Sequence, residues 1–417
     1  MEILVAFILL VIVYGFVSQL LANHNITPHM VFVSAGILVA FITLRDQQFA
    51  LETEIFILTG EVALALILFG DASRIRLHAL RSAADLPGRL LLIGLPLTIL
   101  LGTVVAAIIL PQLSIWEAAI LASVLSPTDA GLGQAVVSDK RLPVRIRQAL
   151  NIESGLNDGL STPIFMILVA LVTAEQSLQS PGQWLNFIVS QIGIGAGFGI
   201  LMGVVGGRLF TEAGKRQWVS QTFTSLMFPA LALFTWYVAD EIGGNGFIAA
   251  FCGGLTIAVV MRNITEEERD FGEVTGQWVS LLVFFLFGAV AFPLLGQITW
   301  QICVYALLSL TIIRMLPVAV SLMGEHLNRA TVLFLGWFGP RGLASIVLGL
   351  ILLREIAPED QPVELQLAII TTVLFSVFLH GISANPLVAR YTKSIQALHH
   401  TSPELSESVE MPNRQGF

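Results

Sequence analysis

Residues 151–159 read Asn-Ile-Glu-Ser-Gly-Leu-Asn-Asp-Gly, and an apolar run follows them directly. Two acids, Glu153 and Asp158, thus lie in a segment whose composition is otherwise that of a membrane helix. Because a lone charge at the bilayer centre costs roughly 2.5–3.5 kcal/mol on insertion scales, each acid needs a partner or a ligand. At helical spacing Ser154 shares a face with Asp158, and Asn157 shares a face with Glu153. We interpret the stretch as one wall of an ion site.

The composition of the whole chain is that of a membrane protein. Of 417 residues, 55% are hydrophobic and 12% are charged, whereas soluble domains carry about 25% charged residues. The mean hydropathy is +0.82. The two cysteines lie in apolar segments and indicate neither a disulfide framework nor a metal cluster, so we expect no cofactor. The sequence predicts an all-α, polytopic protein of an inner or plasma membrane.

A helix that spans a membrane needs about 20 mostly apolar residues. Thirteen stretches meet this requirement, at about 3–22, 28–44, 54–72, 87–110, 115–137, 146–173, 184–208, 221–239, 242–261, 278–296, 299–321, 330–353 and 362–391. We therefore expect a transmembrane part at 1–393. The polar and acidic tail at 394–417 is expected to be disordered and cytoplasmic.

The positive charges predict the orientation of the chain. Sixteen lysines and arginines lie in the loops after odd-numbered spans, against two, Arg45 and Arg354, after even-numbered spans. Because cytoplasmic loops carry the excess of positive charge, the N-terminus is expected outside and the C-terminus in the cytoplasm.

Helix breakers interrupt the fifth and the twelfth span. Residues 126–131 read Ser-Pro-Thr-Asp-Ala-Gly, and residues 338–342 read Phe-Gly-Pro-Arg-Gly. Proline removes a backbone donor and clashes with the preceding turn, so both spans should unwind at mid-depth. Spans 1–6 and 8–13 then form two six-helix units of an inverted repeat, each broken in its fifth helix. Transporters with a substrate site between broken helices show this pattern.

The two breaks contribute Asp129 and Arg341 to the middle of the membrane. Arginine suits a structural ion pair because it keeps its charge. We expect Arg341 to pair with Glu153, which lies on a different helix face from Asp158. A pairing of Arg341 with Asp129 across the two breaks is the alternative.

Asp158 and Ser154 then remain as oxygen ligands, and unwound backbone at Thr128 frees carbonyl groups that point into the same space. Hard cations take oxygen ligands, and unwound carbonyls coordinate sodium in transporters with broken helices. The sequence therefore predicts a monovalent cation site in which a cation and a proton compete for one carboxylate.

Taken together, Thr128-Asp129 in a broken span, Glu153-Ser154-x-x-Asn157-Asp158 in the next span and a late Gly-Pro-Arg341-Gly resemble the monovalent cation:proton antiporter-1 family. Within it, the chain is most similar to the prokaryotic NhaP-type sodium/proton antiporters, and the resemblance covers essentially the whole membrane part.

The resemblance implies a homodimer in which a core bundle of helices 4–6 and 11–13 moves against a dimerisation bundle. It implies exchange of Na⁺, Li⁺ or K⁺ for H⁺ by alternating access, in the service of pH homeostasis. The cation would be bound by Asp158, Ser154 and the Thr128 backbone, with Asp129 helping through water. The Asn157-Asp158 sequence implies electroneutral 1:1 exchange, and the Glu153–Arg341 pair is also what the family leads us to expect.

Two further acids are possible accessory groups. Relatives often have a Glu near the end of the third helix, where this chain has Gly70 followed by Asp71. Asp71 is therefore either an accessory ligand or a solvated helix end. Glu61 lies in the middle of the third span. It either lies near the ion path or the dimer interface, or it forms a structural ion pair with a residue such as Arg314.

Other classes of function fit the sequence less well. A cation channel would not need the pair of broken helices, and a cation-coupled solute symporter would need room and polar groups for an organic substrate. An intramembrane hydrolase would show a Gly-x-Gly-Asp or His-Glu-x-x-His motif, or a serine with a helical histidine partner, and the chain has none of these. We therefore expect no enzymatic activity and no nucleic-acid partner.

Overall fold

The computed structural model describes residues 2–43, 53–74, 85–177, 181–261, 266–356, 362–396 and 402–405, and every regular element within these ranges is a helix. We number the helices in chain order and mark the two parts of an interrupted helix a and b. They are α1 Glu2–Asn23, α2 Pro28–Thr43, α3 Thr53–Arg74, α4 Asp85–Ile109, α5a Ile115–Val124, α5b Gln134–Val137, α6 Val144–Ser177, α7 Pro181–Lys215, α8 Gln221–Glu241, α9 Gly246–Val260, α10 Glu266–Ala291, α11a Trp300–Leu310, α11b Ile312–Ser321, α12a Arg329–Trp337, α12b Leu343–Glu355 and α13 Val363–Ile395.

The helices have the length and surface of membrane spans. In the described part of the chain, eight are long and apolar enough to cross a bilayer, and three shorter apolar helices accompany them. Large apolar side chains point outward, among them Phe16 at 87%, Leu92 at 76% and Ile108 at 72% exposure. Such a surface is stable only in contact with lipid or with another protein. The prediction of an all-α multi-pass membrane protein is confirmed, whereas the number of thirteen spans stays a prediction.

Both predicted helix breaks are present. The chain leaves helical geometry between α5a and α5b and again between α12a and α12b, at residues 338–342. A third interruption, at Thr311 between α11a and α11b, was not predicted. It has φ −112° and ψ −95°, and no proline or glycine in the sequence marks it.

The helices pack as two groups. Helices α4, α5a, α6, α11, α12 and α13 pack mainly on one another, and α2, α3, α7, α8, α9 and α10 form a second packed set. Within the second set α2 and α10 approach closely at reciprocal glycines. A Cβ on Gly36 would lie 1.9 Å from the Phe285 carbonyl oxygen, and one on Gly288 would lie 2.2 Å from the Val33 carbonyl oxygen. Small residues allow this backbone contact between membrane helices.

The C-terminal tail is partly ordered, which corrects the prediction of disorder from residue 394. Helix α13 continues to Ile395, and a 3₁₀ turn at Pro403–Leu405 rests on the membrane part. Glu404 is 1% exposed and accepts hydrogen bonds from the backbone N–H of Asn328 at 2.6 Å and from Thr331 Oγ1 at 3.1 Å. These bonds satisfy donors at the start of α12a. The rest of the predicted tail, 397–401 and 406–417, lies outside the described residues.

Candidate ion site

The two helix breaks cross and hydrogen-bond to each other, and Asp129 organises the crossing. Its backbone N–H donates to the Pro340 carbonyl at 2.8 Å. Its Oδ1 accepts from the Leu132 N–H at 3.0 Å, and its Oδ2 accepts from the Leu343 N–H at 2.6 Å. Because the first N–H groups of a helix lack partners and carry partial positive charge, the carboxylate stabilises the start of α12b. Gly342 makes room for it, since a Cβ there would lie 2.1 Å from Oδ2.

Arg341 plays the reciprocal part at the end of α5a. The side chain is fully buried, and Nη1 donates to the carbonyls of Ser126 at 2.6 Å and Pro127 at 3.0 Å. These carbonyls follow the last turn of α5a, where a cation is favoured by the helix dipole. Each break therefore supplies the charge that stabilises a half-helix end of the other.

The buried ion pair at Glu153 is formed with Arg314, from α11b. The pair is bidentate, with Nη1–Oε1 at 2.6 Å and Nη2–Oε2 at 2.8 Å, and both side chains are 3% exposed. The predicted Glu153–Arg341 pair is therefore wrong. The alternative with Asp129 is not formed either, because the Asp129 oxygens accept backbone N–H groups. Arg341 instead donates hydrogen bonds to the Ser126 and Pro127 carbonyls, and Glu153 pairs with Arg314.

Helix α6 is fastened to the first break at Thr128. Ser154 Oγ donates to the Thr128 carbonyl at 2.6 Å, and Asn157 Nδ2 donates to Thr128 Oγ1 at 2.6 Å. Ser154, Asn157 and Thr128 are all buried. A carbonyl oxygen has two lone pairs, so the Thr128 oxygen retains acceptor capacity after the bond from Ser154. Asp158 follows Ser154 by one helical turn and is 8% exposed.

A cavity of about 260 Å³ reaches this site, and Asp158 and Asp129 both line it. Asp71 of α3 lies in the same wall, where its Cβ is 3.6 Å from the position that a Cβ on Gly155 would occupy. The cavity extends past Asp71 to Arg74 at the end of α3. The structure thus brings Asp158, Asp129 and Asp71 to the wall of one cavity.

Glu61, the second possible accessory group, lies away from the cavity. Its Oε1 is 2.6 Å from Arg354 Nη1, so the suggested partner Arg314 is wrong. Glu61 is 7% and Arg354 is 44% exposed at the side chain. Arg354 also contacts Glu355 at 3.3 Å.

Sequence reasoning missed a polar relay that holds the second break from α13. His380 Nε2 lies 2.9 Å from the Trp337 carbonyl oxygen, and Nδ1 lies 3.1 Å from the Ser376 carbonyl oxygen and 3.2 Å from Ser376 Oγ. Ser376 Oγ accepts a hydrogen bond from the Arg341 N–H at 2.6 Å. A serine four residues before a histidine in an apolar span is the signal that could have found it.

The transported ion would be cargo rather than a resident metal. In the ranges that the structure describes, no group of three or more His, Cys, Asp or Glu side chains is placed to hold a metal ion. The predicted oxygen ligands are the Asp158 carboxylate, the Ser154 hydroxyl and the Thr128 carbonyl; the last two are in contact at 2.6 Å, and Asp158 follows Ser154 by one helical turn. Such a set suits a hard monovalent cation.

The sequence is similar to those of known cation/proton antiporters. The sequence profile of the family described as "Sodium/hydrogen exchanger, transmembrane" matches residues 4–390. The chain is 28% identical over 350 residues to the K⁺/H⁺ antiporter NhaP of Alkalimonas amylolytica, covering 82% of this chain and 58% of that protein. It is 25% identical over 360 residues to the Na⁺/H⁺ antiporter NhaH of Halobacillus dabanensis, covering 82% of this chain and 86% of that protein.

A solved structure has the same fold. The sodium proton antiporter MjNhaP1 from Methanocaldococcus jannaschii, at pH 8, matches with a TM-score of 0.75 at 20% identity, over 94% of this chain and 100% of that chain. At this identity the likeness concerns the fold. The chain spans less than two thirds of the length of several curated relatives that it matches.

Proposed function

The chain belongs to the sodium/hydrogen exchanger family, and from that premise we propose that it exchanges a monovalent cation for a proton across the membrane. The family is one of transporters, in agreement with the expectation that the chain is not an enzyme. The observation that carries the proposal is the contact between α6 and the first break, where Ser154 bonds to the Thr128 carbonyl one turn before the cavity-lining Asp158.

In the proposed site, the cation is bound by Asp158, Ser154 and the Thr128 carbonyl. The Ser154 proton now points at the Thr128 oxygen, at 2.6 Å between the heavy atoms. When a cation binds, this hydroxyl turns so that both oxygens face the ion. The bond from Asn157 to Thr128 Oγ1 keeps the two segments together while the hydroxyl turns.

In this proposal the neighbouring acids, Asp129 and Glu153, contribute negative charge near the site but do not carry the transported proton. Asp129 accepts two backbone N–H groups, and it attracts the cation through water. Glu153 is occupied by its bidentate pair with Arg314. Asp158 is then the group that is charged with a cation bound and neutral with a proton bound. One proton for one monovalent cation makes the cycle electroneutral.

Alternating access follows if the two packed groups of helices move against each other. The core bundle comprises α4–α6 and α11–α13, and the dimerisation bundle comprises α1–α3 and α7–α10, through which two copies form a homodimer. The packing of the helices supports this division. The N-terminus lies outside and the C-terminus in the cytoplasm, so that Arg74 at the cavity mouth is cytoplasmic. Of the loop charges behind this orientation, Arg45, Arg76, Arg81 and Arg262 lie outside the described residues.

The first property to measure is which cation the protein exchanges for protons. The two relatives are named for sodium in one case and for potassium in the other. Proteoliposomes loaded at acidic pH would be pulsed with Na⁺, Li⁺ or K⁺ in turn, and proton efflux followed with a pH-sensitive dye. We expect saturable efflux with at least one of these ions and an apparent affinity that weakens as pH falls, because proton and cation compete for Asp158. Absence of efflux with all three ions, from protein that is monodisperse and inserted, contradicts the proposal.

A further inference from the structure

The ion pair between Glu61 and Arg354 joins the two proposed bundles. Glu61 belongs to α3 and Arg354 to α12b, with 2.6 Å between Oε1 and Nη1. The other ion pairs that the structure describes stay within one bundle or one segment. They are Glu153–Arg314, Arg89–Glu325, Arg145–Glu325, Arg141–Asp139, Arg216–Glu212 and Arg354–Glu355.

This pair lies beyond the residues of α3 and α12b that line the cavity. The cavity is lined by α3 from Leu66 to Arg74, and Glu61 lies more than a turn before Leu66, towards the other end of the helix. Helix α12b shows the same order, because Leu343 at its start lines the cavity and Arg354 lies in its last turn. The pair thus lies outside the cavity, towards the end of α3 opposite to Arg74.

The helices are packed tightly beside the pair. A Cβ on Gly60 would lie 3.2 Å from Val347 Cγ2 and 3.3 Å from Leu350 Cδ1 of α12b. Val347 is 0% and Leu350 is 5% exposed. Apolar side chains of α12b are thus packed against α3 directly beside the pair.

We propose that Glu61 and Arg354 form a latch that holds the two bundles together on the side opposite the cavity, and that the latch opens when Asp158 turns to that side. The inference rests on the proposed alternating access. The unequal burial of the partners suits a contact that opens. Arg354 is already half in water and keeps Glu355 as a second partner, whereas the buried Glu61 depends on water entering between the bundles.

The latch can be tested without measuring transport. Val347→Cys, in a chain with Cys252→Ala and Cys303→Ala, places one thiol in the contact beside the pair. The rate of its reaction with a membrane-impermeant maleimide reports how often the bundles part on that side. Glu61→Gln and Arg354→Gln remove the pair, and Glu355→Gln is the matched control, because it removes only the exposed contact of Arg354.

We expect Glu61→Gln and Arg354→Gln each to raise the labelling rate several-fold, and Glu355→Gln to leave it unchanged. The exchanged pair Glu61→Arg with Arg354→Glu should bring the rate back towards the starting value, and Arg354→Lys should keep it low. Equal rates in all folded variants overturn the latch. If one of the two single variants does not fold, the other is compared with Glu355→Gln, and a rate no higher than that of Glu355→Gln overturns the latch. If Glu61→Gln and Arg354→Gln raise the labelling rate but the unaltered protein shows no antiport, the proposed function is overturned and the latch is supported.

Discussion

At the scale of residues, the sequence predicted which polar side chains lie near one another in the membrane. It predicted only some of the pairs that they form. The cost of a lone acid in a bilayer correctly required a partner for Glu153, but the prediction named Arg341 where the structure has Arg314. Spacing along α6 can show which residues share a face. It cannot show that Arg341 is engaged by the carbonyls of α5a, because those carbonyls become acceptors only when the first break unwinds.

The pair of Glu153 with Arg314 predicts a specific pattern of coupling. Removing one partner of a buried ion pair leaves a charge unpaired and costs about 3–5 kcal/mol. Glu153→Gln and Arg314→Met should each lower the thermal unfolding temperature, measured in detergent, and the double variant should lose clearly less than the sum. The control cycle combines Glu153→Gln with Arg341→Met and should be closer to additive. Stronger coupling in the Arg341 cycle would show that the pair is formed as the sequence suggested.

At the scale of elements, the prolines and glycines of the sequence correctly located the breaks in α5 and α12. The reciprocal capping by Asp129 and Arg341 could not be predicted, since it depends on how the two breaks cross. The interruption at Thr311 could not be located from the sequence, because residues 309–313 contain neither proline nor glycine.

The capping of α12b predicts the effect of one methyl group. Gly342→Ala would place a Cβ 2.1 Å from Asp129 Oδ2 and push the carboxylate off the Leu343 N–H. We expect a loss of about 1–3 kcal/mol, as for overpacking, together with a large loss of antiport. Gly349→Ala in the same helix is the matched control, since its Cβ would meet Ile369 at ordinary distances of 3.4 and 3.5 Å. Equal stability and activity of the two variants would argue against Asp129 as a cap.

At the scale of the whole molecule, composition predicted an all-α membrane protein, which agrees with the fold, whereas the place of the ion site between the breaks stays a prediction. The acidic tail was expected to be free of structure, but the buried Glu404 ties it to the start of α12a. A carboxylate that caps a distant helix cannot be distinguished in sequence from its solvated neighbours. The assignment of bundles remains a prediction about motion, for which the latch is one test.

Electroneutral exchange is a property of the whole transport cycle. It predicts that the transport rate does not depend on the membrane potential. Moving one net charge through 100 mV is worth about 2.3 kcal/mol, so an electrogenic cycle would respond visibly. With sodium as the driving ion, a potential set by potassium and valinomycin should leave the initial rate unchanged. The assay requires that potassium is not itself transported. A several-fold change would mean that a second proton is carried, and Asp129 would be the first group to examine.

The most direct test of the account replaces Asp158 and measures cation-driven proton flux in proteoliposomes. Asp139→Asn is the matched control. Asp139 lies in the loop before α6, and its hydrogen bonds from Arg141 hold the pKa of its carboxyl below the ordinary value, so it stays ionised throughout the assay. We predict that Asp158→Asn abolishes the flux, because its amide cannot exchange a proton for a cation, while Asp139→Asn retains it. Substantial flux through a folded, inserted Asp158→Asn variant would contradict the account.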